Sequence, residues 1–314
     1  MNRKNKSISR RDFMRKSIAG VLMASTSGVR FSFGRAEVAP LRLGGPVKAE
    51  DPENWVKAHE RLGYRAAYCP VDAEASDDLV GTYSRWAEKA DIVIAEVGAW
   101  SNPISPNDEV RRKALARCRA HLALADRIGA KCCVNVSGSR GEQWAGPDPN
   151  NLTEETFDLI VESTRKIIDD VKPKRTYFTL ETMPWAFPDS ADSYLRLIKA
   201  IDRRRFAVHL DPVNLINSPR RYFDNAGVIG ECFRKLGPFI KSCHAKDIIL
   251  EKRFTTHLNE VRPGLGGLDY ATFLRVLSKL PDTPLMLEHL ETQEEYRLAA
   301  DHIRSVAKKI GLSC

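Results

Sequence analysis

The chain of 314 residues carries 49 Lys and Arg against 41 Asp and Glu, a net charge of +8, and 43% of its residues are hydrophobic. The charge excess is local: nine of the basic residues and one acid, Asp12, lie in residues 1–36, which leaves 40 basic residues (49 less 9) and 40 acidic ones (41 less 1) in the other 278 (314 less 36). A neutral body lacks the electrostatic footprint of a nucleic-acid binder, no segment after residue 36 is apolar enough to span a bilayer, and 278 residues suffice for one large α/β core.

The chain opens with Ser9-Arg10-Arg11-Asp12-Phe13, an Ala-, Gly- and Ser-rich apolar run over 18–29, and Gly34-Arg35-Ala36. A basic start, a short apolar stretch and a small-residue cleavage site make an export signal. The paired arginines before Phe resemble the twin-arginine type. Residues 1–36 are therefore expected to engage the twin-arginine export machinery, and 37–314 to act in the periplasm or otherwise outside the cytoplasm. The seven cysteines are odd in number and lack a C-x-x-C spacing, so free and mostly buried thiols are expected.

From there the pattern is strand then helix, eight times. Short apolar or β-branched runs predict strands near 41–46, 65–71, 91–98, 131–137, 176–181, 206–211, 240–245 and 284–289. Amphipathic stretches predict helices near 52–62, 77–89, 107–128, 153–171, 190–201, 224–236, 270–280 and 292–310. In the third of these, Ala114, Leu115, Cys118, Leu122, Ala125 and Ile128 share one stripe. Thr153 and Ser190 stand where helices begin, and Gly63 and Gly129 where helices end. Eight such units in one chain predict an α/β fold, a single closed (β/α)8 TIM barrel with a parallel sheet.

Alternation along the strands separates two faces. Phe178 and Leu180 oppose Tyr177, Thr179 and Glu181; Phe206, Val208 and Leu210 oppose Ala207, His209 and Asp211; Leu285 and Leu287 oppose Met286 and Glu288. Lys241 does not fit this scheme in the seventh strand. Glu181, Asp211, His244 and Glu288 thus fall on the inward face at the C-terminal ends of the last four strands, where barrel active sites are built. Three carboxylates buried together would repel, and a divalent cation removes that cost. Three carboxylates and an imidazole suit Mn²⁺, the favoured ion, or Mg²⁺, Co²⁺ or Zn²⁺.

The segments Thr179-Leu180-Glu181, His209-Leu210-Asp211-Pro212-Val213-Asn214, Cys243-His244-Ala245-Lys246-Asp247 and Leu287-Glu288-His289-Leu290 resemble the xylose-isomerase-like sugar isomerase and epimerase superfamily. The resemblance implies a metal-dependent isomerase or epimerase of a keto-sugar or keto-polyol. The metal would stabilise an enediolate, with Glu181 and Glu288 as both ligands and acid/base catalysts. Ketose 3-epimerases of this group usually carry His where this chain has Asn214, and Arg where it has Leu250. Those departures favour another keto-sugar, a keto-inositol or a 3-keto-glycoside. A lyase or hydratase acting on a 3-keto-glycoside or inosose is the alternative, since an enolate can instead expel a β-substituent. A nuclease of the apurinic-endonuclease branch is disfavoured, because its three-zinc site needs many histidines and, of the seven here, only His209, His244 and His289 lie in the predicted strands near the site. A non-catalytic sugar-binding barrel is disfavoured because both acid/base carboxylates are retained.

Further residues near the barrel mouth are candidates for substrate contact: Trp100, Trp144 and Trp185 as stacking faces, Asn214, Lys246 and Asp247 beside the ligands, and His257 and Arg262 in the long seventh loop. Arg220 and Arg221 could meet an acidic substrate. His209 is expected to be a hydrogen-bonded core residue, and His289 to face away from Glu288. Gly264-Leu265-Gly266-Gly267-Leu268-Asp269 does not follow a strand and is read as a loop with Asp269 capping the next helix. The expected partners are a small carbohydrate and the export machinery, not nucleic acid or a membrane. Nothing in the sequence sets an oligomeric state.

Overall fold

The computed structural model describes residues 39–314. The expected export signal at 1–36 lies outside the described residues.

Eight parallel strands form the sheet: β1 (Arg42–Gly45), β2 (Ala66–Tyr68), β3 (Val93–Gly98), β4 (Cys132–Asn135), β5 (Phe178–Glu181), β6 (Phe206–Leu210), β7 (Ile240–Ala245) and β10 (Pro284–Leu287). They close into a barrel in the order β1-β10-β7-β6-β5-β4-β3-β2. Around them run α1 (Pro52–Leu62), α2 (Asp77–Lys89), α3 (Asp108–Ile128), α4 (Glu154–Val171), α5 (Ala191–Ile201), α7 (Asn225–Leu236), α8 (Tyr270–Leu277) and α9 (Gln293–Lys309). This is the single (β/α)8 TIM barrel that the strand–helix alternation predicts. No helix among the described residues is long and apolar enough to cross a membrane.

Local chemistry places the helix ends. Asp51, Thr153, Ser190 and Asp269 each accept a bond from a backbone N–H in the first turn of α1, α4, α5 and α8. Gly63 closes α1 at φ +65°, a conformation that costs a residue with a Cβ. Leu122, Ala125 and Ile128 on α3 are buried, and Phe178 and Leu180 join the same apolar layer between strands and helices. The hydroxyl of Tyr194 reaches the carbonyls of Leu180 (2.5 Å) and Ala207 (2.9 Å), tying β5 to β6. Inside the barrel, Ala66, Ala95 and Met286 form a small separate cluster. Gly44 makes room for it: an added Cβ would lie 2.3 Å from the Ala66 carbonyl oxygen and 2.9 Å from Met286 Cε. All seven cysteines are free, and five of them are buried.

Besides short 3-10 turns, a hairpin and a short helix were not predicted. After β7 the chain forms an antiparallel hairpin, β8 (Asp247–Leu250) and β9 (Leu258–Val261), outside the barrel. Its second strand is partly exposed and mixes polar with apolar residues, so alternation gave it no signal. A short helix, α6 (Pro219–Phe223), precedes α7 and starts on a Ser218 cap. The helix expected over 270–280 stops at Leu277.

Candidate metal centre

Glu181 ends β5, Asp211 follows β6, His244 lies in β7 and Glu288 follows β10. One donor atom from each lies within 4.8 Å of those from the other three. The imidazole Nδ1 of His244 is 2.6 Å from Glu288 Oε1 and 3.3 Å from Glu181 Oε1. The strand ends shape the set. The Val213 backbone N–H donates to Asp211 Oδ1 at 2.9 Å, in the turn that Pro212 opens. Asn214 Nδ2 donates to Glu181 Oε1 at 3.1 Å and to the Thr182 carbonyl at 3.0 Å. Asn214 therefore steadies a candidate ligand besides lining the cavity above it.

A fifth residue, Glu96, was not anticipated. It sits inside the barrel on β3, fully buried. Its Oε1 lies 3.2 Å from His244 Nε2 and its Oε2 accepts from Ser242 Oγ at 2.9 Å. With Nε2 held there, Nδ1 is the nitrogen left to face the carboxylates, the arrangement in which an outer carboxylate orients a ligating histidine. The only sequence signal was one acid in the otherwise apolar run Val93–Gly98. His209 is buried beside it, its Nδ1 3.4 Å from Glu96 Oε2. Contrary to expectation, neither ring nitrogen of His209 has a hydrogen-bond partner among the described residues. Burial, and then the neighbouring His244, push its pKa down to about 4, so the ring is neutral.

Lys246 fills the middle of the carboxylates. Its Nζ is 2.8 Å from both Asp211 Oδ2 and Glu288 Oε1, 3.7 Å from Glu260 Oε2 and 3.8 Å from Glu181 Oε1. These are ion-pair contacts without hydrogen-bond angles, so Asp211 Oδ2 and Glu288 Oε1 keep no hydrogen-bond partner among the described residues. Burial pushes the Asp211 carboxyl up to about 6 although Lys246 opposes it. For Glu181 and Glu288 burial acts the same way, but His244 outweighs it and holds both below the ordinary carboxylate range. Buried carboxylate oxygens that meet only misaligned ion-pair contacts are incompletely compensated for burial. Two such oxygens, with a third carboxylate and an imidazole nitrogen beside them, form a donor set that fits a hard or borderline divalent cation.

Above this floor opens a cavity of about 640 Å³. Of the residues expected there, Trp100, Trp144, Trp185, Asn214 and Lys246 line it, as do Glu181 and Glu288. Asp247, His257, Arg262, Arg220 and Arg221 are not in its lining. Asp247 is instead a buried loop anchor, accepting from the backbone N–H groups of Ile248, Gly264, Gly266 and Leu268 at 2.9 to 3.1 Å. That explains the glycine-rich segment: an added Cβ at Gly266 would lie 2.3 Å from Asp247 Oδ1. His257 lies between the hairpin strands, where its carbonyl accepts from the Glu251 N–H. Arg262 Nη1 turns back to the Pro263 carbonyl and Arg221 Nη1 to that of Leu215. His289 reverses its expected direction. Its φ of +56° breaks the alternation after Glu288, so the ring joins the lining, with Nδ1 3.1 Å from Glu260 Oε1. Glu260 reaches the site from the unpredicted hairpin.

The chain belongs to the xylose isomerase-like TIM barrel family, whose model matches residues 56–306. No curated protein sequence matches it. Among solved structures it is similar to endonuclease IV from Thermus thermophilus (TM-score 0.65, 16% identity, covering 85% of this chain and 99% of that one). It is also similar to a probable 3-DHS dehydratase from Bacillus anthracis (TM-score 0.62, 15% identity, 85% and 98%). A third is 3-keto-D-glucoside 4-epimerase from E. coli (TM-score 0.58, 13% identity, 84% and 99%). Three chemistries on one backbone mean that the fold does not choose among them, and the side chains of the site must.

Proposed function

We propose that this chain is a divalent-metal-dependent isomerase or epimerase of a keto-sugar or keto-polyol. The observation that carries the reading is that Glu181 and Glu288 belong to the buried donor set and also line the cavity above it. Glu181, Asp211, His244 and Glu288 would hold a divalent cation, Mn²⁺ in preference to Mg²⁺, Co²⁺ or Zn²⁺, which would supply Lewis acidity to a substrate carbonyl. One glutamate then takes the proton from the carbon next to the carbonyl. The other returns a proton on the opposite face, which inverts the centre or moves the carbonyl. The buried Lys246 ammonium offers positive charge to the enediolate oxygens. Asn214 keeps the Glu181 carboxylate in place. The one-histidine donor set argues against a three-zinc nuclease site.

The test is incubation of the metal-loaded protein with a panel of keto-sugars and 3-keto-glycosides in D₂O. Solvent deuterium at the carbon beside the carbonyl of a recovered epimer or isomer is the expected result. An unsaturated product or a released aglycone would replace the isomerase reading with the lyase one, and no exchange on any compound would refute both. The same reading takes residues 1–36 as a twin-arginine signal and the barrel as a periplasmic enzyme. Changing Arg10 and Arg11 together to Lys should hold the protein in the cytoplasm, and unaltered export on cell fractionation would refute it.

A further inference from the structure

The cavity is divided by strand order. Lys246, Glu260, Glu288, His289 and Asn214 reach it from β6 onward. The side supplied by β2 to β5 and their following loops carries Tyr68, Trp100, Val136, Trp144 and Trp185, and Glu181 at the floor is its one charged member. The tryptophans stay 38%, 48% and 39% exposed in chain order. Two are held in place. Trp185 Nε1 donates to the Ala145 carbonyl at 2.8 Å, joining its loop to the residue after Trp144. The Trp100 indole lies back over Gly98, where an added Cβ would meet its Nε1 at 2.1 Å.

We propose that this tryptophan side is a subsite for a flat apolar group attached to the sugar, so that the substrate is a keto-sugar carrying an aromatic aglycone. The proposal rests on the function inferred above and narrows its substrate class. A sugar ring has a C–H face that stacks on one indole, but its hydroxyls need polar partners. A free sugar set against three tryptophans would leave some hydroxyls facing apolar surface. A two-part ligand fits both sides: its oxygen-rich ring takes the charged floor and its planar group covers the indoles. The cavity of about 640 Å³ falls within the about 300–1,000 Å³ of chambers that bury drug-sized ligands.

The test compares phenyl and methyl 3-keto-glucosides on the metal-loaded full-length protein. Affinity is read by tryptophan fluorescence and calorimetry, and deuterium exchange is read in parallel. The phenyl compound should bind at least about tenfold more tightly, as expected for burying one aromatic ring. Trp144→Ala and Trp185→Ala should each reduce that preference, the loss of affinity falling more heavily on the phenyl than on the methyl compound. Equal affinity of the unaltered protein for the two compounds would overturn the subsite, and so would a preference that survives both substitutions. The two readings fail separately. Phenyl preference without exchange would leave the subsite standing and remove the chemistry; exchange without preference would do the reverse.

Discussion

At the N-terminal end of the strands, Asp126 accepts bonds from the backbone N–H groups of Lys174, Arg175 and Thr176 at 2.8, 2.6 and 3.1 Å. At the same end, Arg42 Nε and Nη2 donate to Asp282 Oδ1 at 3.1 and 2.9 Å. At the C-terminal end, Asp211 Oδ2 and Glu288 Oε1 are buried with no hydrogen-bond partner among the described residues, and a lysine is the cation between them. Both ends set carboxylates beside basic groups. They differ in what meets the carboxylate: one that backbone N–H groups or a well-aligned guanidinium bond stabilises the fold, and one with an oxygen that meets only the side-chain cations of Lys246 and His244 can exchange them for a ligand. Asp247 shows that position alone is not the criterion. It follows the His244 strand by two residues, yet its four backbone donors make it structural.

The largest effect should come from Glu181→Gln and Glu288→Gln, each losing at least about 100-fold in turnover at saturating metal, because an amide cannot accept the substrate proton. Near wild-type turnover would mean these carboxylates do no more than hold a cation. Next, Asp211→Ala and His244→Ala should purify without metal. Glu96→Gln should keep the site and weaken metal affinity about 10- to 100-fold, since it alters only the group that orients His244. Calorimetric titration separates the two classes, and unchanged affinity in Glu96→Gln would make that residue a filler of the barrel interior.

Asp247→Ala should cost about 3 kcal/mol, read as a lowered urea midpoint, because it strands backbone donors that were bonded to a charge. A loss of metal with stability intact would move Asp247 back among the site residues. The smallest effect is Asp126→Ala, about 1–2 kcal/mol. Burial raises the Asp126 pKa, but the backbone donors of Arg175, Lys174 and Thr176 outweigh it and hold the group below its ordinary 3.8. A depressed native pKa gives stability that is fully present above the unfolded value and is lost as pH falls through the native one. The gap between wild type and Asp126→Ala should therefore close as pH drops below about 3.8, and a gap independent of pH would show that the carboxylate charge is not what holds that end.

Sequence alone determined the architecture and the shared inward phase of the four candidate donors. Alternation and helical periodicity are local quantities, and so are caps such as Ser190 and Asp269, so eight strands and their helices were legible within a few residues. The inward phase of Glu181, Asp211, His244 and Glu288 follows from period two once a barrel is assumed. Only the tertiary structure decided what depends on two distant segments meeting. Glu96 gained a meaning when β3 came to face β7 across the barrel, 148 residues away in the chain. Glu260 entered the site through the second strand of a hairpin, Leu258–Val261, whose two central residues are both polar and exposed and so break the period of two. Asp247 left it because backbone N–H groups, which no side-chain pattern reveals, turned toward its carboxylate. His289 entered because one residue in the left-handed region reverses the alternation that the sequence reading assumed. Periodicity assigns a residue to a face; whether its polar atoms are already satisfied there depends on the partners that folding brings up to it.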